Sequence, residues 1–193
     1  MSTITTTPAT IAQWEDVQQT LTGGGDGRSC QCVWPVLVNK EWTTTTKEQR
    51  QGLLESEIEA GPPPGIVAYV DGEAAGWIRV GPRTNQARLA RTRAIAAATT
   101  EPFEDESVWA VTCFSVRREH RGLGLNRALL DAAVAYARES GARVIEGYPI
   151  DTSVRKTSSS ELFHGALSTF LAAGFTPTGE LKTGRPLVTL AVR

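Results

Sequence analysis

Residues 111–130 read VTCFSVRREHRGLGLNRALL, and the fold turns on how this stretch is understood. The apolar, partly β-branched run VWAVTCFSV, residues 108 to 116, has the composition of a strand. A basic turn follows, with Gly122 and Gly124 one residue apart. Beyond it Leu125, Leu129, Ala132 and Tyr136 recur at helical spacing, widened by Leu130 and Val134. That pattern predicts a buried helix from Leu125 to Ala137, closed by Gly141. Glycines between a strand and a helix suit a tight turn. They also let an anion approach the free N–H groups and the positive dipole end of the helix start. Arg117, Arg118, Arg121 and Arg127 put positive charge on or near this turn. The dinucleotide fingerprint needs a third glycine where Arg127 stands, and the P-loop needs a Gly-Lys-Ser/Thr ending that is missing. What remains is Arg-x-x-Gly-x-Gly/Ala, met as Arg121-Gly122-Leu123-Gly124-Leu125-Asn126, with Asn126 in the last, small-residue place.

Downstream, RVIEGYPI reads as a strand, Leu162 to Ala173 as a helix closed by Gly174, and FTPTGEL and PLVTLAV as two final strands. Upstream, GIVAYVD and EAAGWIRV flank Asp71-Gly72, a strong hairpin signal. Residues 82 to 107 read as an irregular excursion with one short helix. Thr46 to Glu59 reads as an amphipathic helix with Leu53, Leu54 and Ile58 inward, stopped by Gly61-Pro62-Pro63-Pro64-Gly65. The segment CQCVWPVLV, residues 30 to 38, is apolar and interrupted by Pro35. Ile11, Trp14, Val17 and Leu21 have helical spacing, and the run Gly23 to Gly27 ends that helix in a mobile loop. Residues 1–9, Thr-rich, are expected to fray, and nothing divides the chain, so 1–193 is expected to be one domain.

The 193 residues are 40% hydrophobic and 21% charged, the composition of ordinary globular proteins. A formal net charge of -1 points to no nucleic-acid partner, and no apolar run approaches the roughly 20 residues of a membrane span. MSTITTTPAT lacks the basic start and apolar core of a signal peptide, so a cytoplasmic location is expected. Three cysteines do not make a disulfide framework. Cys30-Gln31-Cys32 is too tightly spaced for structural zinc, and no metal is expected.

Taken together, CFSV, RGLGLN, RALLDAAVAYA, ARVIEGYP and STFLAAGF resemble, in order, the GNAT superfamily of N-acetyltransferases over residues 108 to 175. The hairpin at 65 to 80 is similar to the family's early strands. The resemblance implies an α/β (α+β) fold: a mixed twisted sheet of six to seven strands with splayed central strands, flanked by about four helices. It implies acetyl-CoA as acyl donor and 108–175 as the cofactor-binding core. The pyrophosphate would rest on the N–H groups of Gly122, Leu123, Gly124, Leu125 and Asn126, with Arg121 beside them. The pantetheine arm would pair with the backbone of Phe114, Ser115 and Val116. The acceptor would be a small-molecule amine or a protein amino group, and a homodimer is compatible with such folds.

In many family members a tyrosine four residues before the Gly of Gly-Phe protonates the leaving thiolate; here that place holds Phe170. Candidates for the proton work are then Glu146 as a base on the splayed strand, Ser168 on the last helix, and Tyr148, on the same face as Glu146. His120, in the basic turn, is expected to touch coenzyme, and His164 is a weaker candidate base. Trp14, Trp34, Trp42 and Trp77 are expected in the core, although the Cys-x-Cys-x-Trp stretch also suits an acceptor pocket. The acidic stretch 101 to 106 offers attraction for a cationic amine. Phe170 also motivates an alternative, a non-catalytic acyl-CoA sensor.

Overall fold

The computed structural model describes residues 2–22, 26–154, 156–158 and 161–192. The glycines expected to form a mobile loop, residues 23 to 25, lie outside the described residues. In chain order the elements are β1 (Ile4–Pro8), α1 (Trp14–Leu21), α2 (Gly27–Cys30), α3 (Asn39–Thr44), α4 (Lys47–Ala60), β2 (Gly65–Val70) and β3 (Glu73–Pro82). Then come α5 (Ala87–Arg91), α6 (Arg93–Ala98), β4 (Val108–Val116), α7 (Leu125–Glu139), β5 (Val144–Gly147), α8 (Leu167–Ala172), β6 (Thr176–Lys182) and β7 (Arg185–Ala191).

The sheet has seven strands in the order β1-β2-β3-β4-β5-β7-β6. It is antiparallel except for β4 and β5, which run parallel from Val108↔Val144 to Val111↔Gly147. Past Val111 the two strands part, while β4 stays paired to β3 as far as Val116↔Gly76. One backbone edge of β4 is therefore left without a strand partner beside residues 113 to 116 among the described residues. An edge of this kind is a template for a strand-like ligand.

Side-chain alternation along the strands builds a layer on each face. Cys113, Trp77 and Val67 pack with α1, α4 and segment 30–38 through Val17, Leu21, Leu54 and Ile58, the front layer. Phe114, Ile78 and Ile66 pack with α7 and α8 through Leu129, Leu130, Ala133 and Phe170, the back layer. Burying α7's stripe of five such residues contributes on the order of 10 kcal/mol before the ordering entropy is subtracted.

Several expectations need correction. Residues 4–8 do not fray but pair with β2, Ile4↔Val70 to Pro8↔Ile66, because Thr is β-branched and suits a half-exposed edge. The helices exceed about four: there are eight α-helical segments among the described residues, of which α1, α4 and α7 reach eight residues. The excursion contributes two short helices, α5 and α6, not one. Leu53 is 43% exposed, so only Leu54 and Ile58 form the inner face of α4. The last helix begins at Leu167, not Leu162, because Gly165 at φ 80 separates it from a 3-10 turn at Glu161–His164. The hairpin is as predicted, with Asp71 and Gly72 both at positive φ.

Candidate active site

A cavity of about 790 Å3 runs from the start of α7, past the open edge of β4, to the front layer. At the α7 end its wall is His120, Arg121, Gly122, Gly124, Leu125 and Asn126. Gly122 and Gly124 sit at φ +83 and +85, and a methyl built on either would meet nothing within 4 Å. Backbone is thus laid bare to the cavity, in a conformation that disfavours side chains. The N–H groups of residues 122 to 126 have no backbone acceptor among the described residues. Leu123 is the exception at this end, since it is exposed and off the wall. Two buried polar atoms also lack hydrogen-bond partners here, Asn126 Oδ1 and His120 Nε2. An unsatisfied buried polar atom is costly, so both fit a polar ligand.

The four arginines do not act alike. Arg121 and Arg127 reach the wall, although Arg127 also pairs with Asp131 at 2.7 Å. Arg117 is engaged by Glu73 at 2.6 Å and Glu119 at 2.5 Å. Arg118 is exposed and off the wall. Glu73, Glu119 and His120 bring three potential metal-ligand atoms within 4.8 Å of one another. A search for cysteine spacing misses this group, in which Arg117 pairs with both carboxylates.

Phe114, Ser115 and Val116 line the middle of the cavity. Ser115 donates its hydroxyl to Thr20 O at 2.9 Å, which fixes the strand end to α1. The front wall comes from α2, α3 and the turns around them: Asp26, Ser29, Cys30, Cys32, Trp34 and Trp42. Trp77 is fully buried as expected, but Trp34 and Trp42 open onto the cavity. The Cys32 and Cys113 sulfurs lie 2.7 Å apart as free thiols, joining this wall to mid-β4. Burial pushes the Cys30 thiol up to about 11, and the hydrogen bond to Cys113 together with burial pushes Cys32 well up. Cys30 and Cys32 therefore present neutral thiols rather than thiolate nucleophiles.

The residues chosen for proton work are not on the wall. Glu146 is fully buried, because all four residues of β5 are covered on both faces. It accepts from Arg83 at 2.9 Å, from Thr99 at 2.5 Å and from the Tyr148 hydroxyl at 2.7 Å. Tyr148 is buried in the same cluster, and burial and the Glu146 charge push its hydroxyl well up. Arg83 also donates to Glu101 O at 2.8 Å and stacks on Phe103. This network ties the excursion to the sheet and has no opening to the cavity lining. Ser168 points to solvent, while its neighbour Thr169 lines the cavity. The later helix start shifts the phase, and Gly165 is the signal that reveals it. Phe170 is fully buried, edge-on to Phe114 and Phe175. In the acidic stretch, Glu101 and Asp105 both pair with Arg143, at 2.6 and 2.7 Å, away from the cavity.

His164 sits where β4 and β5 part, hydrogen-bonded to the backbone of Thr112. Burial, with Arg185 and Lys182 nearby, pulls its imidazole down to about 3. It is therefore neutral at physiological pH and a weak base. The unfolded chain, with an ordinary histidine near pH 6.5, binds this proton first as pH falls. The stability that a neutral His164 supplies is whole above about pH 6.5 and declines below it. At pH 5 the loss should be on the order of 2 kcal/mol. The drop in Tm between pH 7 and pH 5 should accordingly be smaller in His164→Gln than in the parent.

Comparison with known proteins fits this architecture. The acetyltransferase (GNAT) family model matches residues 34–153, more than half of the chain. A GCN5-related N-acetyltransferase from Kribbella flavida has TM-score 0.58 at 17% identity, covering 98% of both chains. PaiA N-acetyltransferase from Thermoplasma acidophilum, in complex with coenzyme A, has TM-score 0.57 at 11% identity, covering 98% of this chain and 99% of that one. YncA, a putative acetyltransferase from Salmonella typhimurium with its cofactor acetyl-CoA, has TM-score 0.55 at 17% identity, covering 98% and 94%. No curated protein matches the sequence. No helix among the described residues is long and apolar enough to cross a membrane.

Proposed function

The chain belongs to the acetyltransferase (GNAT) family, and on that premise we propose that it transfers an acetyl group from acetyl-CoA to a primary amine of a small molecule or protein. The observation that carries the reading is the glycine turn, where bare N–H groups, Arg121 and the start of α7 face a cavity that continues along an unpaired strand edge. The whole chain, 1–193, acts in this reading as one acyl-CoA-binding domain, with 108–175 as its cofactor-binding core. Bound acetyl-CoA supplies a thioester whose carbonyl carbon is attacked directly by the amine in a ternary complex, the C–N bond forming as C–S breaks.

The chain's own residues hold and orient. The N–H groups of Gly122 to Asn126 and the Arg121 guanidinium take the pyrophosphate, at the end of the cavity that His120 also lines. Phe114, Ser115 and Val116 offer backbone to the pantetheine arm. Neither Glu146 nor Tyr148 touches the acceptor in this account; both act through the fold. Thr169, on the cavity wall beside Phe170, is in this reading the hydroxyl offered to the leaving sulfur, supported by its place in the lining where Ser168 has none. Catalysis then rests mainly on positioning, which can supply ~7 kcal/mol or more of a barrier.

Phe170 and the enclosed Glu146 also favour a second reading, a non-catalytic acyl-CoA sensor. Two measurements separate the possibilities. Acetyl-CoA at millimolar concentration should raise Tm, because a ligand bound only by the folded state stabilises it. ATP should not reproduce that rise. Release of the coenzyme A thiol with any amine removes the sensor reading, and no rise in Tm with acetyl-CoA removes both.

A further inference from the structure

We propose that the acceptor is a primary amine carried on a flat aromatic body, and that Trp34 and Trp42 select it. This deepens the transferase reading above and rests on it. The first observation is the distribution of charge along the cavity. Arg121 and Arg127 stand at the α7 end, where an anionic ligand fits; among the front lining residues only Asp26 is charged, and the guanidiniums of Arg88 and Arg50 stand behind Trp34 and Trp42.

The second observation is the apolar surface of the same cavity. Trp34 and Trp42 of the front wall, with Leu162 and Phe163, line it with large apolar side chains only partly covered by the fold. Each indole carries a guanidinium on one face, Arg88 at 4.3 Å from the ring of Trp34 and Arg50 at 3.6 Å from that of Trp42. Both arginines are themselves anchored. Arg88 donates to Trp34 O at 2.6 Å and to Asn39, and Arg50 to Trp42 O at 2.8 Å and Thr45 O at 3.0 Å. The rings are thus held in place before any ligand arrives. A ring with a cation on one face attracts a second cation poorly on the other. The indoles therefore suit the apolar body of the acceptor, and Asp26 suits its ammonium on entry.

The third observation places this pocket beside the reacting centre. Cys32, two residues before Trp34, touches Cys113 in the part of β4 that has lost its partner strand. Trp34 and Trp42 line the same cavity as this edge, so an aromatic body held against the indoles shares that cavity with the end of the pantetheine arm. A polyamine or an unadorned lysine side chain would leave the indoles uncovered and gain nothing from them.

The test uses the full chain, acetyl-CoA and three acceptors: 2-phenylethylamine, spermidine and a lysine peptide without aromatic residues. The expected result is kcat/KM at least ~10-fold higher for 2-phenylethylamine, the discrimination one apolar pocket supplies. Trp34→Ala and Trp42→Ala should each raise its KM by ~10-fold while leaving the acetyl-CoA-induced rise in Tm intact. Trp34→Phe and Trp42→Phe, which keep a flat ring and the packing, should recover most of the loss. Equal or better use of spermidine or the peptide overturns the inference and leaves the transferase reading standing. Unchanged KM in the alanine variants does the same. A rise in Tm with acetyl-CoA but no turnover of any amine overturns the transferase reading and this inference with it.

Discussion

Gly124→Glu should abolish the stabilisation of this chain by acetyl-CoA. At a ligand concentration near 100 Kd, the parent gains about 2.7 kcal/mol from binding, which for a domain of this size is a rise in Tm of roughly 5–10 °C. Gly124 sits at φ +85 at the start of α7, and a side chain there projects into open space on the cavity wall. A glutamate would put a carboxylate where phosphate oxygens are proposed to lie and would oppose the dipole-favoured anion site. The cost to the ligand-free chain should be small by comparison, about 1 kcal/mol of backbone strain. Gly124→Ala separates the two effects, because it carries the strain without the charge and should keep much of the ligand response. Differential scanning fluorimetry with and without acetyl-CoA reads both variants.

The second large effect is at Glu146. Glu146→Ala should lower stability by about 3–5 kcal/mol, because it leaves the Arg83 guanidinium buried and uncompensated. In Tm that is on the order of 10 °C. The double variant Arg83→Met, Glu146→Leu should lose much less than the sum of the singles, since it removes both charges from a site with 0% side-chain exposure on either partner. Chemical denaturation gives the free energies. At temperatures below its melting transition, Glu146→Gln should still respond to acetyl-CoA. A normal stability with lost turnover would instead make Glu146 a base.

That contrast shows where sequence reading works and where it stops. The glycine turn and α7 are legible because their determinants are local: two glycines, a basic run and apolar residues at helical spacing within thirty residues. The hairpin at Asp71-Gly72 is legible for the same reason. Glu146 is misread because its partner Arg83 is 63 residues away, in a segment without periodicity. A lone carboxylate in a strand looks solvated until the strand is found covered on both faces. The front wall escapes for a different reason. Trp34 and Trp42 sit in turns and a short helix, where no pattern says which way an indole faces. Ser168 is one residue from the hydroxyl that lines the cavity, Thr169. Gly165 delays the helix, and the turn that remains presents Thr169 to the cavity. Phe170, by contrast, is plain in the sequence, and its burial against Phe114 and Phe175 gives it a packing role.

The central claim is group transfer, and the most direct measurement follows both products in one reaction. The chain is incubated with acetyl-CoA and a primary amine, the amine is weighed by mass spectrometry, and free coenzyme A thiol is assayed in the same samples. The account predicts an amine heavier by one acetyl group, appearing in step with the thiol and lost in Gly124→Glu. Acetyl-CoA that binds and stabilises the chain while every amine stays unmodified would contradict it.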